Sequence, residues 1–529
     1  MPTASATRTR RPRRAPTPGP GGRDWIEVLS PGDGHSLGRV PCFTPEEARA
    51  MLARARAAQP AWEKLGLEAR CERLQKFGDV LLDRIDEVAE LITLENGKPH
   101  QEALTTEIIP VVNLVRYFAG QASRILAPRD IPLHTALHRR SYVHYRPRGV
   151  VFVISPWNFP FSIPTGEVVM ALVAGNTVVQ KPASLTPLIA MKMRELMDAA
   201  EVPADVFEVC TTTGATAQQM IEMGVNYVNF TGSTEVGRRV AETCGRHLLP
   251  CSMELGGKDP ALVLADADPE LAANAIVWGA FANCGQVCAS VERVYVHEQL
   301  HDQLVKKIVE KTRKLRQGDP ASFDTDVGAM TDPGQLEVVA AQVDEARERG
   351  AKVLTGGAPR EGGGGYYYPP TVLASLDESF EVAREESFGP VLPIMKVKDD
   401  EEAIRRANAS IYGLNAYVFS RDRAHARAVA ERLEAGTVMV NEVLFTHAAP
   451  ETPWGGVKAS GIGRVHGDDG LRALCETYHV NEERLGQPRD HPIGVWYPYS
   501  RSRYDNLKRL AHALFRRGLA GRIRGLLKP

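Results

Sequence analysis

Three short segments, far apart along the chain, carry side chains able to act on a carbonyl carbon. Cys288 closes Asn283-Cys284-Gly285-Gln286-Val287-Cys288, a polar, glycine-containing break after the helix-like run Ala273 to Ala282. A free thiol is only a few per cent thiolate at neutral pH, so a nucleophilic cysteine needs a helix terminus or a cation beside it; a buried, inert thiol is the competing reading. The Cys284/Cys288 spacing is not Cys-x-x-Cys, and no second ligand pair follows, which argues against a metal site. Glu254, in Met253-Glu254-Leu255-Gly256-Gly257-Lys258, follows an apolar segment and precedes two glycines. A carboxylate in apolar surroundings has a raised pKa that suits general-base work; a salt-bridge or capping role is the alternative. Asn158, in Pro156-Trp157-Asn158-Phe159-Pro160, offers an amide N–H to an oxyanion, or serves only as a turn residue.

The elements that must position these residues read as α/β. Short apolar runs at Val150 to Ile154, Thr177 to Gln180, Val206 to Val209 and Tyr227 to Phe230 alternate with helical stretches near 186–200, 214–223 and 233–244. That alternation predicts a parallel sheet covered by helices. A second alternating block runs from Gly257 to about Gly467, with helices near 333–350 and 400–409. In Phe230-Thr231-Gly232-Ser233-Thr234-Glu235-Val236-Gly237 a strand ends in small residues that open a helix, whose first N–H groups attract a pyrophosphate. No Gly-x-Gly-x-x-Gly and no Walker loop occurs, so the usual dinucleotide fingerprint is absent. Folding begins near Trp25, and Thr44-Pro45-Glu46-Glu47 is a capping box that opens a long helix.

The bulk numbers bound the function classes. With 529 residues the chain exceeds the size of one core. Lys+Arg 64 against Asp+Glu 65 leaves a net charge of -1, so no global field recruits nucleic acid. Eight scattered cysteines point to reduced thiols in a cytoplasmic protein. No run approaches the roughly 18 apolar residues of a spanning helix. Residues 1–22 are rich in Arg, Pro and Gly and read as a disordered basic tail. Residues 486–529 form a basic amphipathic extension: Trp496-Tyr497-Pro498-Tyr499 leads into a helix with Leu507, Leu510 and Leu514 on one face, and between Arg501 and Lys528 nine Lys or Arg stand against the single acid Asp505. Packing, closure over a substrate tunnel and peripheral membrane contact through 501–529 all stay open for it.

Taken in order, Pro156 to Pro160, Lys181-Pro182-Ala183-Ser184, Phe230 to Gly237, Glu254 to Lys258, Gly285-Gln286-Val287-Cys288, Glu386-Ser387-Phe388-Gly389-Pro390 and Pro453-Trp454-Gly455-Gly456 through Gly461 resemble the aldehyde dehydrogenase superfamily over roughly residues 25–485. The resemblance implies a three-part architecture. A Rossmann-like cofactor domain would take 23–130 and 149–257, an α/β catalytic domain 258–468, and β bridging strands 131–148 and 469–485, which suggest a homodimer or homotetramer. It implies that Cys288 attacks the aldehyde, that Asn158 and the Cys288 backbone N–H hold the oxyanion, and that Glu254 activates the water that hydrolyses the thioester. NAD or NADP would be held by Lys181 toward the adenosine ribose, Gly232 and Ser233 toward the pyrophosphate, Leu255 against the nicotinamide and Glu386 toward its ribose, with Trp157, Ser184 and Phe388 beside them; no metal is implied.

Ser184 departs from the glutamate of many NAD-preferring relatives and removes a charge that repels a 2′-phosphate, so NADP is expected to be tolerated. Phe159, Ile163, Gly166, Val287 and Phe445 mark the expected substrate pocket, apolar or aromatic in character. Gly166 stands where succinate-semialdehyde enzymes often carry an arginine, and Glu167 replaces a common lysine, which puts a proton relay there in doubt. Phe161 to Gly166 resembles pyrroline-5-carboxylate dehydrogenases, but the region before Trp454 does not. Among rivals, an acylating enzyme commonly lacks the glutamate and a structural descendant would lose nucleophile, base or amide; a cofactor-independent thiol esterase is separated by testing for NAD(P) dependence.

Overall fold

In the computed structural model the described residues are 16–18, 23–360, 362, 364–484, 486 and 495–520. The strands β1 (Val150–Ile154), β2 (Thr177–Lys181), β3 (Phe207–Val209), β4 (Tyr227–Thr231) and β5 (Cys251–Glu254) are almost wholly buried. Continuous apolar runs of this kind form strands covered on both faces. They pair in the parallel order β3-β2-β1-β4-β5, and the short strand Gly461–Ile462 adds antiparallel to β5. The order reverses between β1 and β4, and a crevice opens at the carboxyl ends of strands on either side of such a reversal.

Helices α1 (Ser162–Val173), α2 (Gly214–Glu222) and α3 (Thr234–Arg246) connect these strands. All residues of α1 are buried, so this helix is core on every side. Ser233 caps α3 by accepting from the Val236 N–H at 3.5 Å. The capping box at Thr44 is formed: Glu47 N donates to Thr44 Oγ1 at 3.2 Å and Thr44 N to Glu47 Oε2 at 2.9 Å, opening the helix Pro45–Lys64. Thr17 and Pro18, inside the stretch expected to be a solvated tail, pair antiparallel with Trp25 and Asp24; the rest of that expectation, residues 1–15 and 19–22, lies outside the described residues.

The second sheet contains β6 (Asp259–Val263), β7 (Val291–His297), β8 (Lys352–Thr355), β9 (Thr371–Ala374), β10 (Val391–Val397), β11 (Asn415–Phe419) and β12 (Thr437–Val440), in the order β8-β9-β10-β7-β6-β11-β12. Only β8 runs antiparallel to its neighbour. The helix α4 (Pro269–Phe281) lays Ile276 and Phe281 against Val294, Ile394 and Phe419 of this sheet. Each such side chain contributes about 1.5–3 kcal/mol by leaving water.

Both sheets lie in one compact unit, Met1–Ile125 with Pro147–Cys475. A second unit comprises Leu126–Arg146 with Glu476–Pro529. In it the strands Arg129–Asp130, Arg139–Pro147 and Cys475–Glu483 make a small sheet with the last of them at one edge. The helix Arg501–Phe515 has no buried residue; Leu507 and Leu510 are half-buried, whereas Leu514, Tyr504 and Phe515 are exposed. Residues 487–494 and 521–529 of the expected extension are outside the described residues. No described helix is long and apolar enough to cross a membrane.

Candidate active site

Beyond the end of β1 the chain turns through Ser155-Pro156-Trp157-Asn158, and four polar contacts hold that turn. Asn96 Nδ2 donates to the Trp157 carbonyl at 2.8 Å, and both Lys98 Nζ and Asn283 Nδ2 donate to the Asn158 carbonyl at 2.9 Å. The Asn158 amide in turn donates to the Gln286 carbonyl at 3.0 Å, which fixes it beside the loop that carries Cys288. Lys98 is fully buried and ion-paired with Glu107 at 2.6 Å. Glu107 also accepts from the Phe161 and Ser162 N–H groups at 3.1 and 2.7 Å, where α1 begins. A buried pair with its remaining valences bonded holds geometry; one with a member deleted leaves an uncompensated charge.

The loop of Cys288 is bent by three consecutive left-handed residues, Asn283 (φ 49°), Cys284 (φ 55°) and Gly285 (φ 72°). A Cβ on Gly285 would lie 2.2 Å from the Gly389 carbonyl oxygen, so glycine is required there. The Cys288 thiol is pushed far up, first by burial and then by the charges of Asp259, Glu254 and Glu386. The cation or helix terminus that the sequence reading asked of a reactive cysteine is not among the groups acting on it; its neighbours are carboxyls, and the thiol form is the resting one.

Glu254 ends β5 with both oxygens buried and neither in a well-formed hydrogen bond. Burial, and then Glu167, raises its pKa well above the usual carboxylate range, while Arg464 and the Trp454 indole N–H pull the other way. Glu386 is seated on the Gly256-Gly257 turn: Gly257 N donates to its Oε1 at 3.0 Å, and a Cβ on Gly256 would lie 2.5 Å from its Oε2. Next to it Phe388 is held at φ 48°, with its N–H and that of Ser387 both donating to buried Glu292. A bulky residue held in that region signals a backbone fixed by its surroundings.

These groups meet at a cavity of about 710 Å³. Asn158, Glu254, Cys288, Trp157, Ile163, Lys181, Gly232, Ser233, Leu255, Glu386 and Phe388 all line it. The remaining expected residues do not. Phe445 is 60% exposed, because it starts a short turn that points it to solvent. Phe159 lies over the Lys98 ammonium, 4.0 Å from its ring centroid. Val287 is buried beside the loop, outside the cavity wall. Gly166 packs on the protein: a Cβ there would meet Leu114 at 3.0 Å and His466 Nε2 at 3.3 Å, so any larger side chain needs both neighbours to shift. Ser184 is half-buried one residue beyond the lining Ala183.

Another part of the lining is formed by His447, His466, Trp454, Val465 and Glu167. His447 contacts Trp454 and His466 at ring-centroid distances of 5.1 and 5.0 Å. Burial pushes His447 down to about 4 and His466 further, so both are neutral at pH 7. Isolated histidines in irregular segments carry no sequence pattern. The lining cations Lys181, Arg239 and Arg246 are all on β2 or α3, not on the segments that carry these residues.

The donor set fits a dinucleotide. Lys181 and the opening turn of α3 at Gly232 and Ser233 suit anionic and ribose groups. Val236 and Val240 of α3 and Gly214, Ala215 and Ala217 of α2 add apolar surface to the same cavity, a feature the sequence reading missed. Leu255 and the Trp157–Phe388 pair, 5.3 Å between centroids, offer apolar surface for a second ring. The cavity is within the range of about 300–1,000 Å³ typical of ligand sites.

Comparison with known proteins agrees with this geometry. Residues 19–480 match the sequence model of the aldehyde dehydrogenase family. A protein of Mycolicibacterium smegmatis named as an NADP-dependent succinate-semialdehyde dehydrogenase is 38% identical over 463 residues, 87% of this chain and 89% of that one. The 4,4′-diapolycopene aldehyde oxidase of a Methylomonas species is 38% identical over 495 residues, 91% of this chain and 90% of that one. A crystal structure of an NAD-dependent aldehyde dehydrogenase from Sinorhizobium meliloti superposes with TM-score 0.84 at 36% identity, covering 88% of this chain and 92% of that one.

Proposed function

This chain belongs to the aldehyde dehydrogenase family, and on that premise we propose that it oxidises an apolar aldehyde, medium- or long-chain aliphatic or aromatic, to the carboxylic acid with NAD or NADP. The observation that carries the chemistry is the convergence of Cys288, Asn158 and Glu254 on one cavity. The first sheet and its helices would hold the cofactor, and the second would carry the thiol.

In this reading Cys288 Sγ adds to the aldehyde carbon as its proton is released to solvent, which leaves Glu254 free to take a proton in the later step. The oxygen of the tetrahedral adduct takes a hydrogen bond from the second N–H of the Asn158 amide and one from the Cys288 backbone N–H. Trp157, Leu255 and Phe388 would hold the nicotinamide ring and exclude water, and the cofactor would supply the hydride acceptor that lets the adduct become an acyl thioester on Cys288. Glu254 then takes a proton from water as the water oxygen adds to the thioester carbon; the C–S bond breaks and the acid departs. Removing one oxyanion donor typically costs about 10²–10³ in kcat, so Asn158→Ala is expected to lose that much in steady-state assays while still binding cofactor.

The apolar substrate rests on the part of the lining where Ile163, Trp454, Val465 and the neutral histidines offer no cation to a distal carboxylate. A short semialdehyde or a pyrroline-5-carboxylate-type substrate is the second reading, favoured by the name of the M. smegmatis relative. A panel of aliphatic, aromatic and carboxylated aldehydes, followed by absorbance of the reduced cofactor with NAD and with NADP, decides between them. The apolar members are expected to show the higher kcat/KM; preference for succinate semialdehyde reverses the assignment. In the same assay Ser184→Glu is expected to lower the NADP/NAD ratio about fivefold, from roughly 1 kcal/mol of charge repulsion at about 4 Å.

The mostly exposed edge strand Cys475–Glu483 suits pairing with a second copy, hence a homodimer or homotetramer. All eight cysteines are free, which accords with a cytoplasmic location. The exposed aromatics and basic residues of Arg501–Phe515 are the segment for peripheral membrane contact.

A further inference from the structure

The cavity follows α3 from its first turn to its last, where Ser233, Val236, Val240, Thr243 and Arg246 all line it. These positions recur every three or four residues and so share one face of the helix. At 1.5 Å per residue that face runs about 15 Å from Ser233 to Thr243. Ala217 and Gln218 of α2 line the same cavity. Gln218 Nε2 donates to Thr243 Oγ1, and this bond ties the two helices together.

The Thr243 hydroxyl is fully used: it donates to the Arg239 carbonyl at 3.2 Å and accepts from Arg246 Nη2 at 3.0 Å as well as from Gln218. A hydroxyl has one proton and two lone pairs, so nothing on it is left for a ligand. Because its proton is spent on Arg239, the end of the Gln218 amide turned toward it must be the NH2, which fixes the carbonyl Oε1 on the other side. Gln218 is half-buried, and among the described residues no group donates to that Oε1. The charges here are matched: Arg239 pairs with Glu235 and Arg246 with Glu242, each at 3.7 Å and one turn away on the same helix. This stretch of the lining therefore presents one oriented, neutral acceptor beside the apolar Val236, Val240 and Ala217, and no unmatched cation for a phosphate. An adenine suits it, with apolar ring faces and an amino donor on its edge, where hypoxanthine carries an oxygen acceptor.

We infer that Gln218 determines which base the cofactor carries: its Oε1 accepts a hydrogen bond from the 6-amino group of the adenine, while Val236, Val240 and Ala217 cover the ring. The inference rests on the dinucleotide lying with its pyrophosphate at Gly232 and Ser233, as the site above implies. From there the nicotinamide half goes toward Leu255 and Cys288, and the adenosine half is left the face of α3. Thr243 is the positioning residue, acting through Gln218. A base with an oxygen in place of the amino group sets two acceptors against each other. Turning the Gln218 amide over does not relieve this, because its carbonyl would then meet a hydroxyl whose proton is already engaged. The discrimination falls on the base, so it holds for NAD and NADP alike and is separate from the effect of Ser184 on a 2′-phosphate.

The test is equilibrium binding of NAD and of nicotinamide hypoxanthine dinucleotide to the full chain, without aldehyde, by titration calorimetry. The parent is expected to bind NAD about five- to tenfold more tightly, the effect of one oriented hydrogen bond exchanged for a mispaired acceptor. Gln218→Leu, which keeps the bulk and has no acceptor, is expected to bring the ratio of the two Kd values to about one, chiefly by weakening NAD. Thr243→Val leaves Gln218 in place but frees its amide to turn its NH2 toward an oxygen, and is expected to narrow the ratio as well. A merely structural role weakens both dinucleotides alike and leaves the ratio at its parent value. Equal affinity of the parent for the two overturns the inference without any variant, as does a parent-like ratio in either variant. If neither dinucleotide binds the parent, the assignment of the cavity to a dinucleotide falls too; if both bind equally, only the role of Gln218 does.

Discussion

Glu254→Gln is expected to release one equivalent of reduced cofactor per active site in a rapid burst and then to slow by about 10²–10⁴-fold, the usual contribution of a positioned general base. The substitution keeps the side chain's volume at the end of β5, so the first half-reaction should retain its geometry. What it removes is the carboxylate that takes a proton from water. Stopped-flow absorbance separates the phases: a burst with a slow steady state supports the assignment, and an unchanged steady state contradicts it. The burst also distinguishes this loss from one in cofactor binding, which would depress both phases.

Cys288→Ala should have the larger effect. With the nucleophile gone no covalent adduct forms, and activity is expected to drop by about 10³-fold or more, without a burst. The thiol makes no ion pair and anchors no turn: the loop is held by Asn283, Gln286 and the close approach of Gly285 to Gly389. Thermal stability should therefore change little, and binding titrations should still show cofactor uptake by the variant. Persistent turnover at the parent rate would mean that the sulfur is a bystander.

The parts of this molecule legible in its sequence are those set by local pattern. Val150 to Ile154 reads as a buried strand because a strand covered on both faces has no polar alternation to obscure it. The capping box at Thr44 is likewise local, and it formed. Cys288, Asn158 and Glu254 stood out because each reactive side chain sits among small or turn-forming residues at the end of a regular element.

Direction and long-range pairing were not legible. An aromatic type says that Phe159 and Phe445 are large and apolar, not which way a turn aims them; one lies over the Lys98 ammonium and the other meets solvent. Gly166, expected in the substrate pocket, packs against Leu114 and His466. The Lys98–Glu107 pair and the Thr231–Glu167 bond join segments whose sequences offer no mutual signal; an isolated Glu on an apolar helix reads as an anomaly until the strand beside it is known. Carboxyls stand about the thiol where a helix terminus or a cation was expected, so the resting thiol keeps its proton.

The most direct measurement is the mass of Glu254→Gln after mixing with one aldehyde and oxidised cofactor, followed by peptide mapping. The peptide containing Cys288 should be heavier by the acyl group of that aldehyde, one per chain, and should lose it when treated with hydroxylamine. An unmodified Cys288, or an acyl group found on another residue while reduced cofactor is produced, would contradict the thioester on which the whole account depends.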